Sequence, residues 1–131
     1  MKKVLFVCIG NTCRSQMAKG FFNALSPKNS ADSAGIRPED HVEPSAITVM
    51  KEVDIDISHY KPKKLTFAMN DLFDVIVTMG CVDSCPLTPR QKTIVWTIED
   101  PKGKPLDKYR EVRDTIRHHV EKLIVESMEK K

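Results

Sequence analysis

Several things are scarce in this 131-residue chain, and each scarcity narrows the reading. No segment approaches the ~20 apolar residues that a membrane helix needs. The apolar run Val4 to Ile9 is also too short for a signal-peptide core. A cytoplasmic protein that engages no membrane is therefore expected. Charge of one sign is scarce as well. The net charge is +3 and is spread along the chain, so no nucleic-acid partner is expected. The densest basic stretch, Lys61 to Lys64, reads as a solvated loop. Repeats, low-complexity tracts and linkers are missing, which points to one domain spanning residues 1–131. Such a length can bury a core without disulfide or metal staples. Aromatics are few, with one tryptophan and two tyrosines. Tyr60 and Trp96 are the only Tyr or Trp candidates for an aromatic wall ahead of the last helix, and Trp96 reads as a core residue.

Cysteine is not scarce. Four occur, at Cys8, Cys13, Cys81 and Cys85. In a reducing compartment such a set more often signals catalysis or metal binding than structural disulfides. Four thiolates could in principle hold a zinc ion. The histidines (His41, His59, His118, His119) show no ligand spacing with them, and no metal is expected.

Apolar runs alternate with helical patterns. Lys3 to Cys8 reads as a strand buried on both faces. Arg14 to Leu25 follows as a helix, with Met17, Ala18, Phe21, Phe22, Ala24 and Leu25 at spacings of three and four. Asn29 to Ala34 is a short strand closed by Gly35. Pro44 to Val53 forms a helix with its proline in the first turn. Asp74 to Met79 and Lys92 to Trp96 complete the strands. A helix from Asp107 to Glu129 carries the stripe Tyr109, Val112, Ile116, Val120, Leu123 and Val125. His118 and His119 are expected at its surface or half-buried. The alternation predicts an α/β fold with a doubly wound parallel sheet. Ligands of such sheets sit at the carboxyl ends of the strands, and Cys8, Cys81 and Asp100 all lie at or just after strand ends.

The segment Cys8-Ile9-Gly10-Asn11-Thr12-Cys13-Arg14-Ser15 leaves a strand and enters a helix. Its backbone N–H groups and the helix N-terminus suit an anion. Gly10 allows close backbone approach. Arg14 offers a planar fork to two oxygens of a tetrahedral anion. A cysteine placed as Cys8 is expected to act as a thiolate nucleophile. Ser15 is positioned to donate to its sulfur, and Asn11 to brace the loop. Asp100, before Pro101 and after the fourth strand, is a candidate proton donor to a leaving oxygen.

The loop resembles the phosphate-binding loop of the low-molecular-weight protein tyrosine phosphatase superfamily. Cys13-Arg14-Ser15-Gln16-Met17-Ala18 is similar, more narrowly, to the thioredoxin-coupled arsenate reductases. The likeness runs on through Ser33 to Ile36, Met50 to Ser58, Val77 to Met79, Asp100 to Gly103 and Tyr109 to Asp114. It implies a three-layer α/β/α sandwich around a four-stranded parallel sheet, with no resident cofactor. It implies Cys8, Arg14, Asp100, Cys81 and Cys85 as catalytic residues, and Ile9, Gly10, Asn11, Thr12, Cys13, Arg14 and Ser15 as the substrate-binding loop. In such reductases a first cysteine attacks arsenate, a second takes over its sulfur and releases arsenite, and a third leaves an exposed disulfide for thioredoxin. Cys8, Cys81 and Cys85 match these roles. Phosphate or sulfate would compete with arsenate, and thioredoxin or another thiol would supply electrons to a monomer.

Two departures stand out. Many relatives place more residues between the second and third cysteines than the three found here. Lys19 stands where some relatives carry an acidic residue that helps to bind potassium; no potassium site is expected, and the lysine ammonium is expected to fill that place. A phosphatase working through a cysteinyl-phosphate remains the alternative, because the same loop and acid would serve it.

Overall fold

A computed structural model of the chain describes residues 2–79 and 92–128. Its strands are β1 (Lys3–Cys8), β2 (Ser30–Gly35), β3 (Val75–Met79) and β4 (Thr93–Trp96). Its helices are α1 (Arg14–Leu25), α2 (Pro44–Lys51) and α3 (Leu106–Leu123). The four strands form one parallel sheet in the order β2-β1-β3-β4. The α/β sheet expected from the alternating apolar runs is present.

Residue alternation along β1 builds both faces of the sheet. Val4, Phe6 and Cys8 turn to the face covered by α1, α2 and α3, and Leu5 and Val7 turn to the other. The larger core gathers Phe21 and Phe22 of α1, Val49 and Met50 of α2, and Tyr109, Val112, Ile116 and Val120 of α3. Full burial of each such side chain contributes about 1.5–3 kcal/mol. Among the described residues the opposite face is covered by Leu65, Met69 and Phe73; Met69 sits within, and the other two on either side of, a 3₁₀ turn at Phe67–Asp71 that periodicity did not suggest. Trp96 is a core residue, 5.7 Å from Phe6 and 5.0 Å from the half-buried ring of His119, while His118 is exposed.

Three local expectations need adjusting. The last turn of α1 exposes Ala24 and Leu25, while the polar Ser15 and Gln16 of its first turn are buried and hydrogen-bonded to Asn11 in the loop between β1 and α1. Regular α-geometry ends at Leu123 and a π-helical turn follows over Ile124–Met128. The wider turn shifts the stripe, so Ile124 is buried and Val125 is 63% exposed, against the expectation for Val125. The Lys61 to Lys64 stretch is more than a solvated loop. Lys64 forms a parallel bridge with Gly35, and the Lys63 carbonyl accepts the Gly35 N–H.

The chain leaves β1 for one side of the sheet at β2, then crosses to the other at β3. Cys8 therefore sits at a switch point, where the carboxyl ends of neighbouring strands leave a crevice. No helix among the described residues is long and apolar enough to cross a membrane.

Candidate active site

The loop between β1 and α1 is shaped by its carbonyls. The N–H groups of Arg37, Glu39 and Glu43 donate to the carbonyls of Ile9, Gly10 and Thr12 at 2.9, 3.1 and 2.9 Å. Those carbonyls are thereby held against the segment that follows β2. None of the N–H groups of Gly10 to Cys13 donates to another described residue. Unpaired amides beside a helix N-terminus are the ingredients of an anion site. Gly35 makes the close crossing possible, since a Cβ there would lie 2.8 Å from both Asn11 Cβ and the Ile9 carbonyl.

Asn11 turns the loop with φ of 55°, a left-handed conformation that asparagine tolerates better than most residues. Its side chain is fully buried. The Lys63 N–H donates to Asn11 Oδ1 at 2.9 Å, which fixes the amide orientation. Asn11 Nδ2 then donates to Ser15 Oγ at 2.7 Å. Ser15 Oγ lies 2.9 Å from Cys8 Sγ, so the serine hydroxyl proton is left for the sulfur. Gln16 supports the turn from behind: its Nε2 donates to the Asn11 carbonyl, and its Oε1 accepts from Ser33 Oγ, both at 2.9 Å.

In front of Cys8 lies a cavity of about 160 Å³ with room for a tetrahedral oxyanion. It is lined by Cys8, Ile9, Gly10, Thr12, Cys13, Arg14, Glu39, Glu43, Asp100 and Lys102. The fold thus brings together Cys8, Arg14, Asp100 and the loop residues singled out in the sequence, with Asn11 and Ser15 just behind the lining. Arg14 is buried; it donates to the Ile98 carbonyl at 3.0 Å and lies 3.5 Å from Asp100 Oδ2. Asp100 also accepts the Lys102 N–H at 3.1 Å. Cys81 and Cys85 lie outside the described residues.

Cys13 is a free, buried thiol. Burial pushes it far above the usual thiol range, and Glu43, Cys8 and Asp100 add to the effect against the opposing pull of Arg14. It therefore stays protonated, in keeping with a structural place in the loop.

Two lining carboxylates had no sequence signal. Glu39 pairs with Lys102 Nζ at 2.8 Å. Glu43 accepts from the Tyr109 hydroxyl and, at 3.2 Å, from Thr12 Oγ1. Tyr109 was legible in an apolar stripe and in the family likeness, but not as a partner of Glu43. Burial, then Glu43, hold its phenol above its ordinary range, so it remains a donor. Away from the cavity, Lys19 lies 3.2 Å from Asp32 Oδ1 and 4.0 Å from the centre of the Tyr60 ring, and Lys63 also pairs with Asp32.

A buried cysteine and arginine around an anion-sized cavity, at the switch point of a parallel sheet, define a class of oxyanion-handling enzymes. The profile of the low molecular weight phosphotyrosine protein phosphatase family matches residues 3–131, and the chain belongs to that family. Within it, the chain is 42% identical over 126 residues to arsenate reductase 1 of Staphylococcus epidermidis, covering 92% of this chain and 93% of that protein. It is 40% identical over 128 residues to the glutaredoxin arsenate reductase of Synechocystis sp., covering 95% and 97%. A solved structure described as an arsenate reductase in the phosphate-binding state superposes with a TM-score of 0.85 at 38% identity, covering 95% of this chain and 98% of the other. The family and fold implied by the loop motif are thus found.

Proposed function

We propose that this chain is an arsenate reductase that uses Cys8 as its nucleophile. The observation that carries the reading is the position of Cys8 Sγ. It lies 2.9 Å from Ser15 Oγ, on the wall of a cavity shared with Arg14 and Asp100. The relatives named arsenate reductase support the choice of substrate.

In this scheme arsenate enters the loop Cys8 to Ser15, held by backbone amides and the Arg14 fork. To grip the anion, Arg14 exchanges part of its contact with Asp100 for arsenate oxygens. The Cys8 sulfur attacks arsenic, an As–S bond forms, and an As–O bond breaks. Asp100 gives the departing oxygen its proton, so that water leaves. The Cys81 thiolate then attacks Cys8 Sγ. The new S–S bond displaces arsenite with the As–S electron pair, so arsenic(V) becomes arsenic(III) as two thiols are oxidised to a disulfide. Attack of Cys85 on Cys81 returns the Cys8 thiolate and leaves a Cys81–Cys85 disulfide. Three intervening residues allow the two Cα atoms to come within the ~7 Å that a disulfide needs. Thioredoxin or another dithiol reductant, glutaredoxin included, would close the cycle. We read the chain as a monomeric, single-domain cytoplasmic enzyme, and no step is routed through a metal or organic cofactor.

A phosphatase would need only the first cysteine and a water. Its usual aromatic wall is missing among the described lining residues: Trp96 is in the core and Tyr60 packs beside Lys19. The test separates the two chemistries. Cys8→Ser is expected to abolish both arsenite formation and any p-nitrophenyl phosphate hydrolysis. Cys81→Ser is expected to abolish arsenite formation and to leave residual hydrolysis. Arsenate reduction by Cys81→Ser at the parent rate would overturn the relay. Mass mapping of disulfides after one turnover without reductant identifies the partners directly.

A further inference from the structure

The charges around the cavity do not balance in the way expected for a generic anion trap. Arg14 already lies near Asp100, and Lys102 already pairs with Glu39. Glu43 is the remaining carboxylate of the lining. Among the described residues no cationic nitrogen lies within 4.0 Å of it; it is held instead by two neutral hydroxyls, those of Tyr109 and Thr12. A carboxylate has about four lone-pair directions. Two are taken by these hydroxyls, which leaves acceptor capacity on a group that borders the anion cavity. The donors also fix its place, because Thr12 belongs to the anion loop itself and Tyr109 to α3.

A spare acceptor in an anion site discriminates by protonation. Arsenate and phosphate keep at least one O–H at neutral pH and can donate it to a carboxylate. Sulfate has no proton to give, so it would set an oxygen lone pair against a carboxylate oxygen in a partly desolvated cavity, where repulsion is weakly screened. Specificity of this kind works by making the wrong ligand costly.

We propose that Glu43, fixed by Tyr109 and Thr12, is a specificity-determining residue that admits oxyanions carrying a proton and rejects sulfate. The inference rests on the reading of the Cys8 cavity as the arsenate site. It differs from the expectation that sulfate competes as phosphate does. Glu43 touches the bound anion at an oxygen remote from the attacking sulfur and takes no part in bond making, so its signature is in anion binding.

The experiment titrates the reduced full-length protein with sodium phosphate and sodium sulfate by calorimetry at neutral pH and fixed ionic strength. Phosphate is expected to bind about 100-fold more tightly than sulfate, the size of one charge-assisted hydrogen bond made by one ligand and denied to the other. In Glu43→Gln the amide offers a donor as well as an acceptor. Sulfate is then expected to gain about tenfold while phosphate loses affinity, a change in opposite directions that a merely structural role would not produce. Equal affinities in the parent protein, or a parallel change of both anions in Glu43→Gln, would overturn the inference. Should that variant fail to fold, the ratio in the parent protein decides the matter. Phosphate that neither binds nor competes with arsenate would count against the proposed function as well. A phosphate-to-sulfate ratio near one, with phosphate competing normally, counts against Glu43 alone.

Discussion

Replacing Asn11 by alanine removes the piece on which the β1–α1 loop turns, and its cost can be built from the structure. Alanine at φ of 55° sits in the left-handed region, which costs an ordinary L-residue roughly 1–2 kcal/mol. The substitution also deletes the bond from Asn11 Nδ2 to Ser15 Oγ at 2.7 Å and the bond from the Lys63 N–H to Asn11 Oδ1 at 2.9 Å. Each contributes about 1 kcal/mol, and the Lys63 amide is left without its acceptor. The sum is about 3 kcal/mol, a large share of the 5–15 kcal/mol typical of a domain. Urea unfolding followed through the single tryptophan is a suitable assay, because Trp96 is buried against Phe6. With an m-value near 1.5 kcal/mol/M, the midpoint should fall by about 2 M. Activity should fall with it, since Ser15 loses the amide that orients it toward Cys8. A loss below about 1 kcal/mol would refute the reasoning. It would mean that the carbonyl contacts to Arg37, Glu39 and Glu43 hold the loop without Asn11.

Two further outcomes follow from local electrostatics. In the folded protein at mildly alkaline pH, iodoacetamide is expected to spare Cys13, whose thiol burial and neighbouring acids keep protonated; peptide mapping that finds Cys13 modified as fast in buffer as in urea would contradict this. Burial works against the Asp32 carboxylate, but hydrogen bonds from Lys63 and the Ser33 N–H, with Lys19 nearby, outweigh it and hold its carboxyl below the ordinary value. A carboxyl lowered by folding stabilises above its unfolded pKa and loses that contribution as pH falls through its folded pKa. Asp32→Asn should therefore cost about 0.5–1 kcal/mol at neutral pH, a figure reduced for partial exposure. The difference should shrink from about pH 4 downward, and a gap that stays constant across that range in urea midpoints would exclude the ion-pair account.

The strand and helix sequence of this protein was written in its periodicities. The continuous apolar run Val4 to Cys8 requires a strand covered on both faces, and the run of three-and-four spacings in Tyr109, Val112, Ile116 and Val120 requires a helix with one buried side. The position of the β1–α1 loop was legible too, because strand, Cys8, Gly10, Arg14 and helix follow one another within a few residues. The end of α3 was not, since the change from α to π geometry that exposes Val125 leaves the composition unchanged.

What the linear order could not carry were the partnerships across it. Glu43 meets Tyr109 from 66 residues away, Asn11 meets Lys63 across 52, and Arg14 meets the Ile98 carbonyl across 84. Each pair is formed by side chains or amides whose types are common anywhere on a surface. Only the packing of α2 against α3, and the return of the Lys63 segment beside β2, put them within hydrogen-bonding reach. The proposed nucleophile and its loop were thus set by neighbours along the chain. The placement of Glu43 and the other charges around the cavity was set by neighbours in space, because electrostatic interactions depend on distance and burial rather than on sequence order.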